Sequence, residues 1–271
     1  MRIKIGTDME GVAGVIDHDT WVTPEGRYYE RGKELLTREV NAAIEGFFDA
    51  GAEYILVTDG HGYGGLTPEL LDPRVEYQRG WGPGPYPCGL DDSFDCCAVV
   101  GQHPKAGTEY GHISHTGWFN VIDKRLNGVS IGEFGGMVYM GYELGVTTIF
   151  GSGCLAFTKE AQALVPGIET VAVKRGLTPG EGRECDTNQY RARNLAAIHL
   201  HPERARALIK KGAYDALTRF IRDPKSFKTP VLEPPYTLEV ETRKDGDIPA
   251  RYVKYEHPSS IIGVFNRPYG K

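Results

Sequence analysis

Tyr54-Ile55-Leu56-Val57-Thr58-Asp59-Gly60-His61 is a short apolar, β-branched run that stops abruptly at an acid, a glycine and a histidine. It reads as a buried strand whose carboxyl end carries polar groups. Upstream, Ile3 and Ile5 alternate with other residues over 2–7 before Asp8-Met9-Glu10-Gly11, a second strand ending in an acidic turn. Between the two, Leu36, Val40, Ala43, Ile44 and Phe47 recur at three- and four-residue spacing over 30–50. Gly51 closes that run, so the segment is helical. Strand, helix and strand in this order imply a right-handed crossover to a parallel neighbour. The expected fold is α/β, a mostly parallel central sheet flanked by helices.

The pattern recurs downstream. Cys96-Cys97-Ala98-Val99-Val100 is another apolar strand, ending in Gly101-Gln102-His103, and it follows a Pro/Gly-rich stretch over 80–87 that cannot be regular structure. Asn127-Gly128, flanked by strand-like 118–122 and 129–131, signals a type I′ hairpin, after which Glu133 opens a helix to residue 142. Further strands are expected over 146–150 and 170–173, and helices over 159–164 and 202–221. Beyond Pro224 the chain is Pro-rich and then strand-like over 236–242, 252–255 and 261–265. These readings divide the chain into an α/β domain, 1–225, which carries the candidate residues considered below, and a smaller β-rich C-terminal lobe packed on it, 226–271.

Composition narrows the functions. With 31 basic and 36 acidic residues among 271, the formal charge is −5, which argues against nucleic acid or an anionic membrane as partner and favours a small ligand. No apolar run approaches the roughly 20 residues of a membrane span. The alternating start is unlike a signal peptide, so the cytoplasm is the expected location. Five cysteines, Cys88, Cys96, Cys97, Cys154 and Cys185, include no C-x-x-C pair and read as reduced packing residues.

Ligands of open α/β sheets bind at the carboxyl ends of the strands. Those ends carry Asp8, Glu10, His61 and His103, with Glu133 at a helix start. Each has a plain structural reading. Asp8 and Glu10 can cap a turn, His61 sits among loop glycines, His103 can simply end a strand, and Glu133 suits the helix dipole. Five such residues at one edge suggest more. Carboxylates mixed with imidazoles suit zinc, and five exceed the needs of one tetrahedral site. Two metals roughly 3.5–4 Å apart, sharing a bridging carboxylate, would use them all, lower the pKa of a shared water and polarise a carbonyl. That is amide hydrolysis chemistry. In Gly111-His112-Ile113-Ser114-His115, spacing does not rank His112 against His115 as acid/base or oxyanion partner. His18, His199, His201 and His257 lie away from strand ends and read as surface or packing residues.

Two competing readings remain at this level. Gly60-His61-Gly62-Tyr63-Gly64-Gly65 satisfies the dinucleotide-binding pattern G-x-G-x-x-G after a strand, which would make the protein an NAD-dependent oxidoreductase. Pro68 and Pro73 leave little room for the helix that pattern requires. The other reading is a metal-binding scaffold without catalysis. No G-x-S-x-G elbow supports a serine hydrolase.

The motifs also resemble a known family. Thr7-Asp8-Met9-Glu10-Gly11-Val12-Ala13-Gly14, Tyr29-Glu30-Arg31-Gly32, Thr58-Asp59-Gly60-His61-Gly62, Gly101-Gln102-His103-Pro104-Lys105, Ser114-His115-Thr116 and Asn127-Gly128 through Glu133 are similar, in order, to the D-aminopeptidase DppA family, the M55 metallopeptidases. The resemblance runs from residue 4 to about 220. It implies an aminopeptidase with two zinc ions per subunit acting on short peptides or small aminoacyl amides. Asp8 would bridge the metals, Glu10 and His61 would complete one site, and His103 and Glu133 the other. His115 matches the family's catalytic histidine, and a homo-oligomer, a decamer with internal sites, is implied. Two departures stand out: Gly151-Ser152-Gly153-Cys154 replaces an acidic Gly-Asp-Asp stretch, and Gln102 replaces a tyrosine.

Overall fold

The computed structural model describes residues 1–80, 87 and 89–269. Cys88 and all but the ends of the stretch over 80–87 lie outside the described residues. The elements are β1 (Arg2–Thr7), α1 (His18–Trp21), α2 (Tyr29–Asp49), β2 (Tyr54–Asp59), β3 (Glu76–Gln78), β4 (Cys96–Gln102), β5 (Val121–Leu126), β6 (Val129–Ser130), α3 (Glu133–Glu143), β7 (Thr147–Cys154), α4 (Leu155–Leu164), β8 (Glu169–Gly176), α5 (Thr187–Arg193), β9 (Ala197–His199), α6 (Pro202–Arg222), β10 (Tyr236–Thr242), β11 (Arg251–His257) and α7 (Ile261–Asn266).

Seven strands form one sheet in the order β3-β2-β1-β4-β7-β8-β9, parallel except for β9. The apolar periodicity of α2 explains its place. Leu36, Val40, Ile44 and Phe47 are fully buried against Ile3, Ile5 and Val57 of the sheet and Ala213, Ala216 and Leu217 of α6. Where α2 crosses α6, a Cβ on Gly46 would lie 2.2 Å from the Lys210 carbonyl oxygen, so a bare glycine sets the close approach. The opposite face is covered by α3 and α4, through Phe134, Val138, Phe157 and Ala161 around Val99. Apolar faces on both sides of parallel strands are what their continuous hydrophobic runs demand. Among the described residues no helix is long and apolar enough to cross a membrane.

A second, antiparallel sheet has the order β11-β10-β5-β6. The hairpin at Asn127-Gly128 has φ of 46° and 79°, both positive as a type I′ turn requires. The expectation of a strand over 261–265 is corrected: this segment is the helix α7. A short apolar run does not by itself distinguish helix from strand. The deciding signals are polar and local or distant: the Ser260 hydroxyl accepts from the Gly263 N–H at 2.8 Å, and the Glu143 carboxylate accepts the N–H groups of Ile261 and Ile262. Ile261, Val264 and Phe265 then bury one helical face beside Tyr139 and Met140.

Candidate metal centre

β1 lies between β2 and β4, and there the order of added strands reverses direction. Such a switch point opens a crevice at the strands' carboxyl ends. Asp8 leaves β1 into it and His103 follows β4. Gly101 lets the two approach: its φ is +80°, and a Cβ there would meet the Asp8 carbonyl oxygen at 2.0 Å. His61 follows β2, and Glu133 is the first residue of α3.

The structure brings all of these side chains together. Asp8 Oδ1 lies 3.2 Å from His61 Nδ1, and Asp8 Oδ2 lies 3.1 Å from His103 Nε2. Glu10 Oε2 is 3.3 Å from His61 Nδ1, and Glu133 Oε2 is 3.6 Å from His103 Nε2. Ligand atoms of Asp8, Glu10 and His103 all fall within 4.8 Å of one another, as do those of His103, His115 and Glu133. Asp8, Glu10, His61, His103 and His115 are buried, and Glu133 is half-buried.

Each imidazole is anchored by the nitrogen that faces away. His61 Nε2 donates to the Val22 carbonyl at 2.7 Å, His103 Nδ1 to the Pro104 carbonyl at 2.9 Å, and His115 Nδ1 to the Ile113 carbonyl at 2.9 Å. Such bonds fix ring and tautomer, leaving the inner nitrogens as lone-pair donors. Glu10 Oε2 and His103 Nε2 are buried and, among the described residues, lack a hydrogen-bond partner. Buried polar atoms are costly when unpaired, and bound divalent cations would satisfy them. Three carboxylates with two imidazoles also match zinc's donor chemistry. The residues fit the metals that the family resemblance implies.

The electrostatics agree. Burial pushes the Asp8 carboxyl up, but His103 and His61 outweigh it and hold it well below the carboxylate range. Burial likewise raises Glu133, and His103 outweighs it, leaving a pKa of about 2. Burial opposes charge on His61 and His103, yet Glu10 and Asp8 around the first, and Glu133 and Asp8 around the second, raise both well above an ordinary histidine. Protons stand on these rings where cations would stand otherwise. His115 behaves oppositely: burial, then the neighbouring His103, lower its pKa.

The two histidines of the 111–115 segment face different surroundings. His115 Nε2 faces Glu133 Oε1 at 4.0 Å, whereas His112 Nε2 turns away to donate to the Ile16 carbonyl at 2.9 Å. His199 accepts from the Gly14 N–H, and His257 from Ser260, both in packing roles. Gln102 also touches the centre, donating from Nε2 to Asp8 Oδ2 at 3.1 Å. Residues 151–154 lie within β7, where Ser152 is buried. The glycine-rich loop after β2 is already tied down. Asp59 accepts the N–H groups of Gly65 and Leu66, and only a three-residue 3-10 turn, Pro68–Leu70, follows. A pyrophosphate would need such amides free and a full helix behind them.

Comparisons with known proteins point the same way. The model of peptidase family M55, described as D-aminopeptidase, matches residues 1–250. A curated D-aminopeptidase of Bacillus subtilis (strain 168) is 34% identical over 180 residues, 66% of this chain and 65% of that protein, just under two thirds of its length. The solved structure titled "Zn-dependent D-aminopeptidase DppA from Bacillus subtilis, a self-compartmentalizing protease" has a TM-score of 0.83, covering 100% of this chain and 96% of that one at 24% identity. At that identity the likeness concerns the fold.

Proposed function

The chain belongs to the M55 peptidases, the D-aminopeptidase family, and from that premise we propose that it is a dinuclear zinc aminopeptidase releasing the N-terminal residue of short peptides or small aminoacyl amides, with D-configured residues preferred. One observation carries the reading. The two oxygens of Asp8 face different histidines, His61 and His103, so one carboxylate could serve two adjacent cation positions. Glu10 and His61 would hold one ion and His103 and Glu133 the other. When bound, a zinc pair supplies Lewis-acid polarisation of the scissile carbonyl and a water of lowered pKa.

The protein's own residues do the rest. His115, anchored through Nδ1, keeps its Nε2 available to take a proton and return it to the leaving amine. Its lowered pKa supports a ring that is neutral at the start of the cycle. Gln102 and the Met9 N–H, donating to Asp8 Oδ2 and Oδ1, hold the bridging carboxylate in register. In the same reading residues 1–225 form the catalytic unit, and the lobe over 226–271 adds β10 and β11 to the β5–β6 hairpin. The free thiols of Cys96, Cys97, Cys154 and Cys185 support a reducing, cytoplasmic setting. Assembly into a homo-oligomer, a decamer enclosing its sites, accords with the self-compartmentalizing description of the similar structure.

The test is a panel of D- and L-aminoacyl amides and dipeptides, assayed before and after chelation and zinc restoration. Faster D-substrate cleavage, lost to chelator and restored by zinc, is expected. Turnover indifferent to chelation, or no cleavage of any free-amine substrate, would overturn the reading.

A further inference from the structure

Arg243 sits just beyond β10, yet it is 4% exposed. Its guanidinium lies over the Tyr190 ring at 3.7 Å from the centroid, and its Nη1 donates to the Phe119 carbonyl at 2.7 Å. Its main-chain N–H donates to the Asn120 carbonyl at 2.8 Å. A residue at the end of β10 thus grips the segment that follows His115 twice.

Both ends of that grip reach His115. The Phe119 ring packs on the His115 imidazole with centroids 4.7 Å apart. On the other side, the Tyr190 hydroxyl lies 3.2 Å from the hydroxyl of Ser114, the residue before His115, and accepts the Gly107 N–H at 2.7 Å. Arg243 therefore joins the partner of Ser114 to the carbonyl of Phe119. Among the described residues, its Nε and Nη2 are buried without a hydrogen-bond partner. Burying an unpaired guanidinium N–H is unfavourable, so stability alone does not account for an arginine here.

We infer that Arg243, stacked on Tyr190, is a positioning residue for His115, bracing the catalytic imidazole from the end of β10. This rests on the role of His115 proposed above. A small displacement of a reacting group costs a large factor in turnover without weakening ground-state binding. The experiment is a double-mutant cycle on zinc-loaded protein, with rates per bound zinc. Arg243→Met is expected to lower kcat by about ten- to a hundredfold with KM changed less than about twofold. Arg243→Lys, which keeps a donor near Phe119, restores part of the loss. In a His115→Ala background Arg243→Met then costs nothing further, because groups acting as one unit are not additive. Equal losses in both backgrounds, or a loss confined to KM or zinc content, would overturn the inference while leaving the role of His115 intact. Full turnover by His115→Ala alone would overturn that role and this inference together.

Discussion

The imidazoles of His103 and His115 stack face to face, centroids 3.8 Å apart and planes inclined by 17°. Two buried rings in this contact cannot both carry a proton at little cost. The surrounding acids raise the pKa of His103, whereas burial and His103 itself lower that of His115. In the function proposed above, one ring holds a cation and the other carries a proton. His115→Ala is therefore expected to lower kcat by about 10²–10⁴-fold while metal analysis finds zinc retained. His103→Ala loses zinc and activity together. Equal zinc loss in both would make His115 a ligand instead.

Zinc uptake should release protons. Against the opposition of burial, neighbouring carboxylates hold the pKa of His61 and His103 well above 6.5, so both rings are protonated in metal-free protein at neutral pH. A cation displaces those protons, so the release is about two per subunit at pH 7 and falls as pH rises through the raised values. Calorimetric titration in buffers of differing ionisation enthalpy measures the count. Zinc binding without proton release would contradict the assignment of these rings.

Glu39 of α2 is buried, which raises its pKa from the ordinary 4.5 to about 7, although the Ala13 N–H donates to it at 2.9 Å. A carboxyl with a raised folded-state pKa binds more protons folded than unfolded between those values. Stability from this group is thus greatest below pH 4.5 and is lost as pH rises to about 7. Glu39→Gln keeps an acceptor for Ala13 and removes the titration. Denaturant unfolding at pH 5 and pH 8 should show the wild type losing up to about 3 kcal/mol relative to the variant. Parallel stabilities at both pH values would contradict this.

At the crossing of α2 and α6, Gly46→Ala places a methyl 2.2 Å from the Lys210 carbonyl oxygen, and the helices must separate. The expected penalty is about 1–3 kcal/mol, seen as a lowered Tm, with zinc content unchanged. An unaltered Tm would mean that the helices slide apart freely.

The sheet and the residues gathered at its edge were legible in sequence for one physical reason: parallel strands buried on both faces announce themselves as apolar runs, and their carboxyl ends converge. The run over 54–58 and the periodicity of α2 place His61, and the strand over 96–100 places His103. What escaped depends on contacts distant along the chain. Helix α7 is specified by Glu143, more than a hundred residues away. The grip of Arg243 on Phe119, and the anchoring of His61 by Val22, have no local pattern. His112 and His115 diverge because Ile113 between them has φ of 51°, a backbone turn that spacing does not encode. Gln102 did carry a signal, its position before His103, and its bond to Asp8 gives that position meaning.

The central claim is that Asp8, Glu10, His61, His103 and Glu133 together hold two cations. Anomalous diffraction at the zinc edge from crystals of zinc-loaded protein tests it most directly. Two peaks, one among Asp8, Glu10 and His61 and the other among Asp8, His103 and Glu133, are the predicted result. A single peak, or zinc bound elsewhere with these side chains empty, would contradict the account.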